Sequence, residues 1–195
     1  MEKIDLYKLH KSEYVTPKEP ALVEAGVAKY LAVDGVGAPE GERFQQAVGA
    51  LYQVAYTTKM AKKFAGQDYK VCHLEGLWWG LERMAPRDEW RWKLLIRVPD
   101  FISARDLKET AAKLKEKGKG DPAVGVALET LKEGRCVQVL HTGPYSTEPA
   151  TIARMEAFAK SKGLVFVGPH HEIYLSDPRR VAPEKLRTIL RMPVK

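Results

Sequence analysis

Two rhythms of apolar residues alternate along this chain. Phe44, Val48, Leu51, Tyr52 and Ala55 recur at i, i+4, i+7, i+8 and i+11, drawing one apolar stripe down a helix that runs toward Lys59. Before it, residues 22–35 (LVEAGVAKYLAVDG) read as a turn, a strand and a glycine-marked loop. After it, the runs 69–79 and 92–98 read as strands, the second closed by Pro99. The order then repeats. Residues 130–143 (TLKEGRCVQVLHTG) lie over 22–35, with Gly134 on Gly26 and Gly143 on Gly35. Ile152, Met155 and Phe158 carry a second helical stripe, with Pro149 in its first turn and Gly163 placed to end it. Strands follow over 168–175 and in a last segment ending near Met192, where Ile189-Leu190-Arg191-Met192-Pro193 matches Leu95-Ile96-Arg97-Val98-Pro99.

Between the halves, Leu107, Ala111 and Leu114 mark a connecting helix over about 103–120, running into a loop with Gly118 and Gly120. Residues 123–131 fit either a helix capped by Asp121-Pro122 or a strand feeding a Glu133-Gly134 turn, and helix followed by strand is the preferred reading. The expected fold is α+β, a tandem duplication of a strand-helix-strand-strand unit in a single domain over 1–195, with repeat one about 22–100 and repeat two about 124–195. Two such units can join into a curved antiparallel sheet with helices on the outer side and a central ligand cleft on the pseudo-twofold axis.

Composition narrows the function classes. Of 195 residues, 45% are hydrophobic and 29% charged, ordinary for a folded globular protein and unlike disordered, collagen or coiled-coil chains. No apolar run approaches the ~20 residues of a membrane span, and MEKIDLYKLHKSEY builds no signal-peptide core, so a cytoplasmic protein without membrane contact is expected. Thirty-two Lys and Arg against 25 Asp and Glu leave +7, which raises nucleic-acid binding. The excess, however, sits in the tail, where Arg179, Arg180, Lys185, Arg187, Arg191 and Lys195 face a single acid, Glu184, and alternate with Val181, Leu186, Ile189, Leu190 and Met192. That is the pattern of a half-buried element with a solvated basic face, and no nucleic-acid-binding motif accompanies it. Cys72 and Cys136, 64 residues apart with no CxxC spacing, read as buried free thiols. Monomer and dimer are both compatible with the sequence.

Candidate chemistry clusters in few places. Superposing the halves puts Cys72-His73-Leu74-Glu75 on Pro169-His170-His171-Glu172, so Glu75 and Glu172 are expected at equivalent strand positions, one carboxylate per half facing the axis. Paired carboxylates act as acid and base when their surroundings drive their pKa values apart, and one carboxylate in an aromatic pocket binds a cation or orients a water. The plain alternative is a pair of solvated strand glutamates. All four tryptophans, Trp78, Trp79, Trp90 and Trp92, crowd one hairpin. Trp78 and Trp79 are adjacent and point to opposite faces of a strand, so at most one lines the cleft, and core packing is the plain reading of either ring. Tyr174 shares a strand face with Glu172, and Tyr145 ends the loop His141-Thr142-Gly143-Pro144-Tyr145. Tyr52 and Tyr56 share a helix face that is read as meeting the sheet more readily than the cleft. His170 and His171 diverge on a strand, and His73 and His141 have no ligand-spaced partner, so no metal site is expected. Without GxSxG, GxxxxGK or GxGxxG there is no support for nucleophilic, phosphate-loop or dinucleotide chemistry, and no cofactor is expected.

Several motifs together resemble a known family. His141-x-Gly143-Pro144-Tyr145 before the second helix, HHEIYLSDPRR from His170 to Arg180, KLRTILRMPV from Lys185 to Val194 and LEGLWW from Leu74 to Trp79 resemble the GyrI-like small-molecule-binding proteins, relatives of the effector domains of multidrug-responsive transcription regulators. The resemblance covers the chain from about residue 20. It implies a two-repeat α+β fold, an acidic residue at Glu172 in the ligand cleft, and an aromatic cage for flat, hydrophobic, often cationic ligands. The first 20 residues are too few for a DNA-binding domain, so a stand-alone protein is expected. LEGLWW and HHEIYLSDP resemble the subfamily that hydrolyses cyclopropane-bearing DNA-alkylating natural products. Other stand-alone members only bind, and one group is linked to inhibition of DNA gyrase. The resulting candidates are Glu172, Glu75 and Tyr145 for catalysis, and Trp78, Trp79, Tyr174, Tyr52, Tyr56 and His141 for binding an aromatic small molecule.

Overall fold

The apolar stripe from Phe44 to Ala55 does form a helix, Glu42–Phe64, and around it the computed structural model describes residues 3–80, 86–118 and 125–195. Among these residues the chain is α+β, with four α-helices and six strands. In chain order they are α1 (Leu6–Leu9), β1 (Ala21–Val36), α2 (Glu42–Phe64), β2 (Glu75–Trp79), β3 (Arg91–Val98), α3 (Ala104–Glu116), β4 (Ala127–Thr142), α4 (Glu148–Ser161), β5 (His170–Tyr174) and β6 (Arg187–Pro193). Among the described residues no helix is long and apolar enough to cross a membrane. The chain divides into two compact units, one of Met1–Leu9 with Ala28–Leu131 and one of His10–Val27 with Lys132–Lys195.

In the first unit β1, β3 and β2 pair antiparallel, with Ala32 opposite Leu95 and Leu95 opposite Glu75. Phe44, Leu51 and Val54 of α2 pack with Leu31, Leu94 and Ile96 of the ladder. Burying a side chain of this kind contributes about 1.5–3 kcal/mol. A hydrogen bond between the buried hydroxyls of Thr58 and Thr110 (2.9 Å) and the Lys62–Asp106 ion pair (2.7 Å) join α2 to α3. Helix α3 starts where the Asp106 carboxylate accepts the Ser103 N–H at 2.8 Å and hydroxyl at 2.7 Å. Gly35 stands opposite Trp92, and a Cβ at Gly35 would lie 2.1 Å from the indole ring. That close approach requires glycine, and it lets the Trp92 Nε1–H donate to the Gly37 carbonyl at 3.1 Å.

Two expectations need correction here. The strand read over 69–79 is confined to Glu75–Trp79, because the N-terminal segment takes the backbone partners upstream of it. Lys70 N–H donates to the Ile4 carbonyl (2.8 Å), and the Tyr7 hydroxyl accepts the His73 N–H (2.7 Å). The helix preferred before a strand over 123–131 gives way to β4, which starts at Ala127. Val126 and Leu128 pack on the core of the first unit while Glu129 reaches Lys93 at 2.5 Å, the alternation of a strand set by partners distant in sequence. Glu133 and Gly134 lie inside that strand instead of in a turn, with Gly134 at φ +70°. Gly120, the Asp121-Pro122 cap and Ala123 lie outside the described residues.

The second unit repeats the order with β4, β6 and β5 antiparallel, Leu140 opposite Ile189 and Ile189 opposite Ile173. Met155 and Ala159 of α4 cover Val137, Val139, Leu190 and Val194. On the other face lies a buried ionic network. The Arg191 guanidinium donates from Nε to Gln138 Oε1 (2.7 Å), from Nη1 to Glu133 Oε2 (2.7 Å) and from Nη2 to the Glu13 carbonyl (2.5 Å). Glu133 Oε1 also lies 2.9 Å from His171 Nδ1. Gln138 donates to the Glu13 and Val15 carbonyls, so residues 13–15 are tied to the strands. Burial opposes ionisation of Glu133, but the charges of and hydrogen bonds from His171 and Arg191 outweigh it and hold its carboxyl down at about 2.

Adding a methyl group in Gly35→Ala should push the Trp92 indole off β1 and cost about 1–3 kcal/mol, read as a lower urea midpoint with altered tryptophan emission. A depressed carboxyl pKa contributes stability that is complete above the ordinary value of 4.5 and lost as pH falls toward about 2, here about 3 kcal/mol in all. Glu133→Gln should therefore flatten the acid limb of stability between those values, and an unaltered limb would count against the network.

Candidate functional site

Alternation along β5 puts His170, Glu172 and Tyr174 on one face and His171 and Ile173 on the other. Glu172 stands opposite Leu190, which belongs to the cluster packed under α4, so its face meets that helix. The approach to α4 is set by the loop before it. Gly143 takes φ +136°, and Tyr145–Thr147 form one 3-10 turn that runs directly into α4, with Pro149 in its first turn. His141 clamps this loop. Its Nδ1 lies 2.9 Å from Thr151 Oγ1, and its Nε2 lies 3.3 Å from both the Pro144 carbonyl and Thr147 Oγ1. Since a carbonyl only accepts, the Pro144 contact puts a proton on Nε2. A groove of about 430 Å³ runs along His141, Thr147 and Thr151, with Lys18 and Arg154 in its lining.

The turn delivers Glu148 to the buried side of α4, in line with Thr151, Met155 and Ala159. Glu148, His170 and Glu172 each offer one atom to a group whose members all lie within 4.8 Å of one another, and all three residues are buried. Burial first, then the charge of Glu172 and a hydrogen bond with it, push the Glu148 carboxyl up to about 9. His170 Nε2 comes 3.3 Å from Glu172 Oε1, yet the contact lacks hydrogen-bond geometry, and both Nε2 and Glu148 Oε1 are buried without a hydrogen-bond partner. The other imidazole nitrogen, Nδ1, lies 3.2 Å from Met192 Sδ. Tyr145 and Tyr174 meet edge to face, centroids 6.0 Å apart at 85°. Burial, followed by the charges of Glu172 and Glu148, raises the Tyr145 phenol to about 12, which keeps it a hydrogen-bond donor. The site thus collects two carboxyl groups, an imidazole and two phenols.

The remaining candidates lie in the first unit. Glu75 is fully buried and shares its β2 face with Leu77 and Trp79. In the superposition of the halves Leu95 matches Ile189, yet Glu75 stands opposite Leu95 while Glu172 stands opposite Leu190. The two glutamates are therefore one position apart in register and on opposite faces of their ladders. Trp78 belongs to the core under α2, stacked on Phe44 at 5.7 Å and edge-on to Trp90 at 6.1 Å, whereas Trp79 is half-buried on the other face. Tyr52 packs against that core and Tyr56, stacked on it at 6.1 Å, is exposed. Cys72 and Cys136 are buried free thiols, each pushed up to about 12 by burial. Sequence reasoning passed over Glu148 and paired His170 only with other histidines. The readable signal was the period: Glu148 precedes Ile152 and Met155 at i−4 and i−7, a carboxylate on an apolar stripe.

Residues 19–195 match the GyrI-like small molecule binding domain. The chain belongs to the GyrI-like family. A hydrolase from Listeria innocua of known structure is 40% identical to this GyrI-like chain, the alignment covering 99% of this chain and 100% of that one with a TM-score of 0.91. An uncharacterized conserved protein from Listeria innocua is 40% identical over the same shares, with a TM-score of 0.94. The EcmrR C-terminal domain, 12% identical over 91% of this chain and 97% of its own with a TM-score of 0.62, shares the fold. No curated protein matches the chain. In this GyrI-like chain Trp78 is only 5% exposed and packed within the core under α2. Trp78→Ala should cost about 3–5 kcal/mol in a denaturant titration and Trp79→Ala clearly less, and equal losses would contradict the assignment of Trp78 to the core.

Proposed function

We propose that this GyrI-like protein binds flat, hydrophobic, often cationic small molecules and adds water across the strained ring of cyclopropane-bearing DNA-alkylating compounds. The observation that carries the proposal is the placement of the Glu172 carboxylate beside Glu148 and next to the Tyr145–Tyr174 pair. Two relatives from Listeria innocua, 40% and 38% identical, are named hydrolases, which supports the reaction class. The like order of strands in the two units, with Ala32 opposite Leu95 and Leu140 opposite Ile189, also supports reading the chain as a duplicated unit.

The chemistry follows from the groups present. The Tyr145 phenol donates a hydrogen bond to a ligand carbonyl conjugated with the cyclopropane. As the ring C–C bond breaks, its electron pair moves onto that carbonyl oxygen, where a positioned donor stabilises the growing charge. Water forms the new C–O bond, and Glu172 accepts its proton, which finally resides on the former carbonyl oxygen. The net change is the addition of one water, with no redox partner. Glu75, buried in the first unit, is the other carboxylate to test in this role.

Glu172 is only 8% exposed, an observation that favours a second reading in which the same ligands are sequestered unchanged. Mass spectrometry of a cyclopropane-bearing alkylator incubated with substoichiometric protein separates the two. Many turnovers to a product heavier by one water are expected, with a loss of at least about 100-fold in Glu172→Gln, the general-base share of the rate. Ligand recovered intact after one equivalent has quenched tryptophan emission would overturn hydrolysis. Turnover unchanged in both Glu172→Gln and Glu75→Gln would remove the carboxylates from it.

A further inference from the structure

We propose that Glu148, His170 and Glu172 form a site for one divalent first-row transition-metal ion, best matched by Zn²⁺. The three residues come from the first turn of α4 and from alternate positions of β5, and their offered atoms, all within 4.8 Å of one another, are acceptors. Converging lone pairs in a buried place repel unless something positive lies among them. A proton shared by the two carboxyls answers only part of this, because Glu148 Oε1 and His170 Nε2 then still have no partner. Those two atoms belong to residues 6% and 7% exposed, so water does not readily satisfy them, whereas one cation would engage all three groups at once.

Ligand type and orientation agree. Imidazole with two carboxylates suits Zn²⁺, Mn²⁺ or Fe²⁺ better than Mg²⁺ or Ca²⁺, which prefer all-oxygen cages. His170 is held at Nδ1 by the Met192 sulfur, leaving Nε2 turned toward Glu172. The 3.3 Å from Nε2 to Glu172 Oε1 already fits one edge of a tetrahedron, roughly 3.4 Å for bonds of about 2.1 Å. The other two pairs of ligand atoms lie within 4.8 Å. Three protein ligands leave one position for water or a ligand atom. The unit's buried guanidinium, Arg191, is engaged on the opposite face with Glu133, Gln138 and Glu13.

The test is calorimetric titration of ZnCl₂ into the full chain after EDTA treatment and dialysis, with Mn²⁺ binding followed by electron paramagnetic resonance. One equivalent should bind. Glu148→Gln, His170→Gln and Glu172→Gln should each weaken binding by more than the 10–100-fold typical of an outer-shell change, while His73→Asn and Cys136→Ser leave it intact. If a ligand variant fails to fold, the visible spectrum of Co²⁺ in the unaltered protein decides between nitrogen–oxygen coordination, as expected, and thiolate coordination, which overturns the site. No uptake by the unaltered protein, or equal uptake by all three ligand variants, also overturns it. Metal uptake without turnover of the alkylator upholds the site and removes the hydrolytic reading. Turnover by protein that takes up no metal does the reverse.

Discussion

The register of β5 against β6 governs the second unit. Side chains alternate with a period of two, so a slip of one residue would exchange His170, Glu172 and Tyr174 for His171 and Ile173 on the α4 side. Two unlike forces hold the register. Leu190 must stay under Met155 on the α4 side, and His171 must stay beside Glu133 and Arg191 on the other. An apolar face alone tolerates some sliding, and an ionic face alone tolerates some rotation. A strand pinned by both can hold His170 and Glu172 at a buried point beside Glu148 of α4.

The first unit solves a different packing problem. Trp92 and Trp78 are both nearly inaccessible, one lying over Gly35 and the other against Phe44. A crowd of tryptophans in a short stretch invites a ligand-binding reading, but a large ring with no free face contributes by filling space. The missing side chain at Gly35 is as much a part of that core as the indole covering it.

Much of this was legible in the chain, and the failures share a cause. The stripe from Phe44 to Ala55, the Pro149 start and the Gly163 stop of α4 are local signals, and local signals were read well. The segment from Ala127 was not, because its partners, Lys93 and the core under α2, are distant in sequence. Matching HLE to HHE aligned Glu75 with Glu172 by letters, whereas hydrogen bonding with β3 and β6 sets them one position apart. Glu148 resembled an ordinary acid at a helix start, which favours the N-terminal dipole and water. Only the fold reveals that this turn faces inward.

The membership of the two units has a consequence for synthesis. Strand β1 passes from the second unit into the first between Val27 and Ala28, and β4 passes back between Leu131 and Lys132. Neither half of the chain is therefore a self-sufficient piece. A ribosome making it from the N-terminus completes the first unit once Leu131 has emerged. Residues 10–27 must meanwhile wait for a hydrogen bond that joins Glu13 to Arg191, 178 positions apart. Closing the second unit thus waits until Arg191 has emerged, and the early segment stays without its partner through the synthesis of everything between.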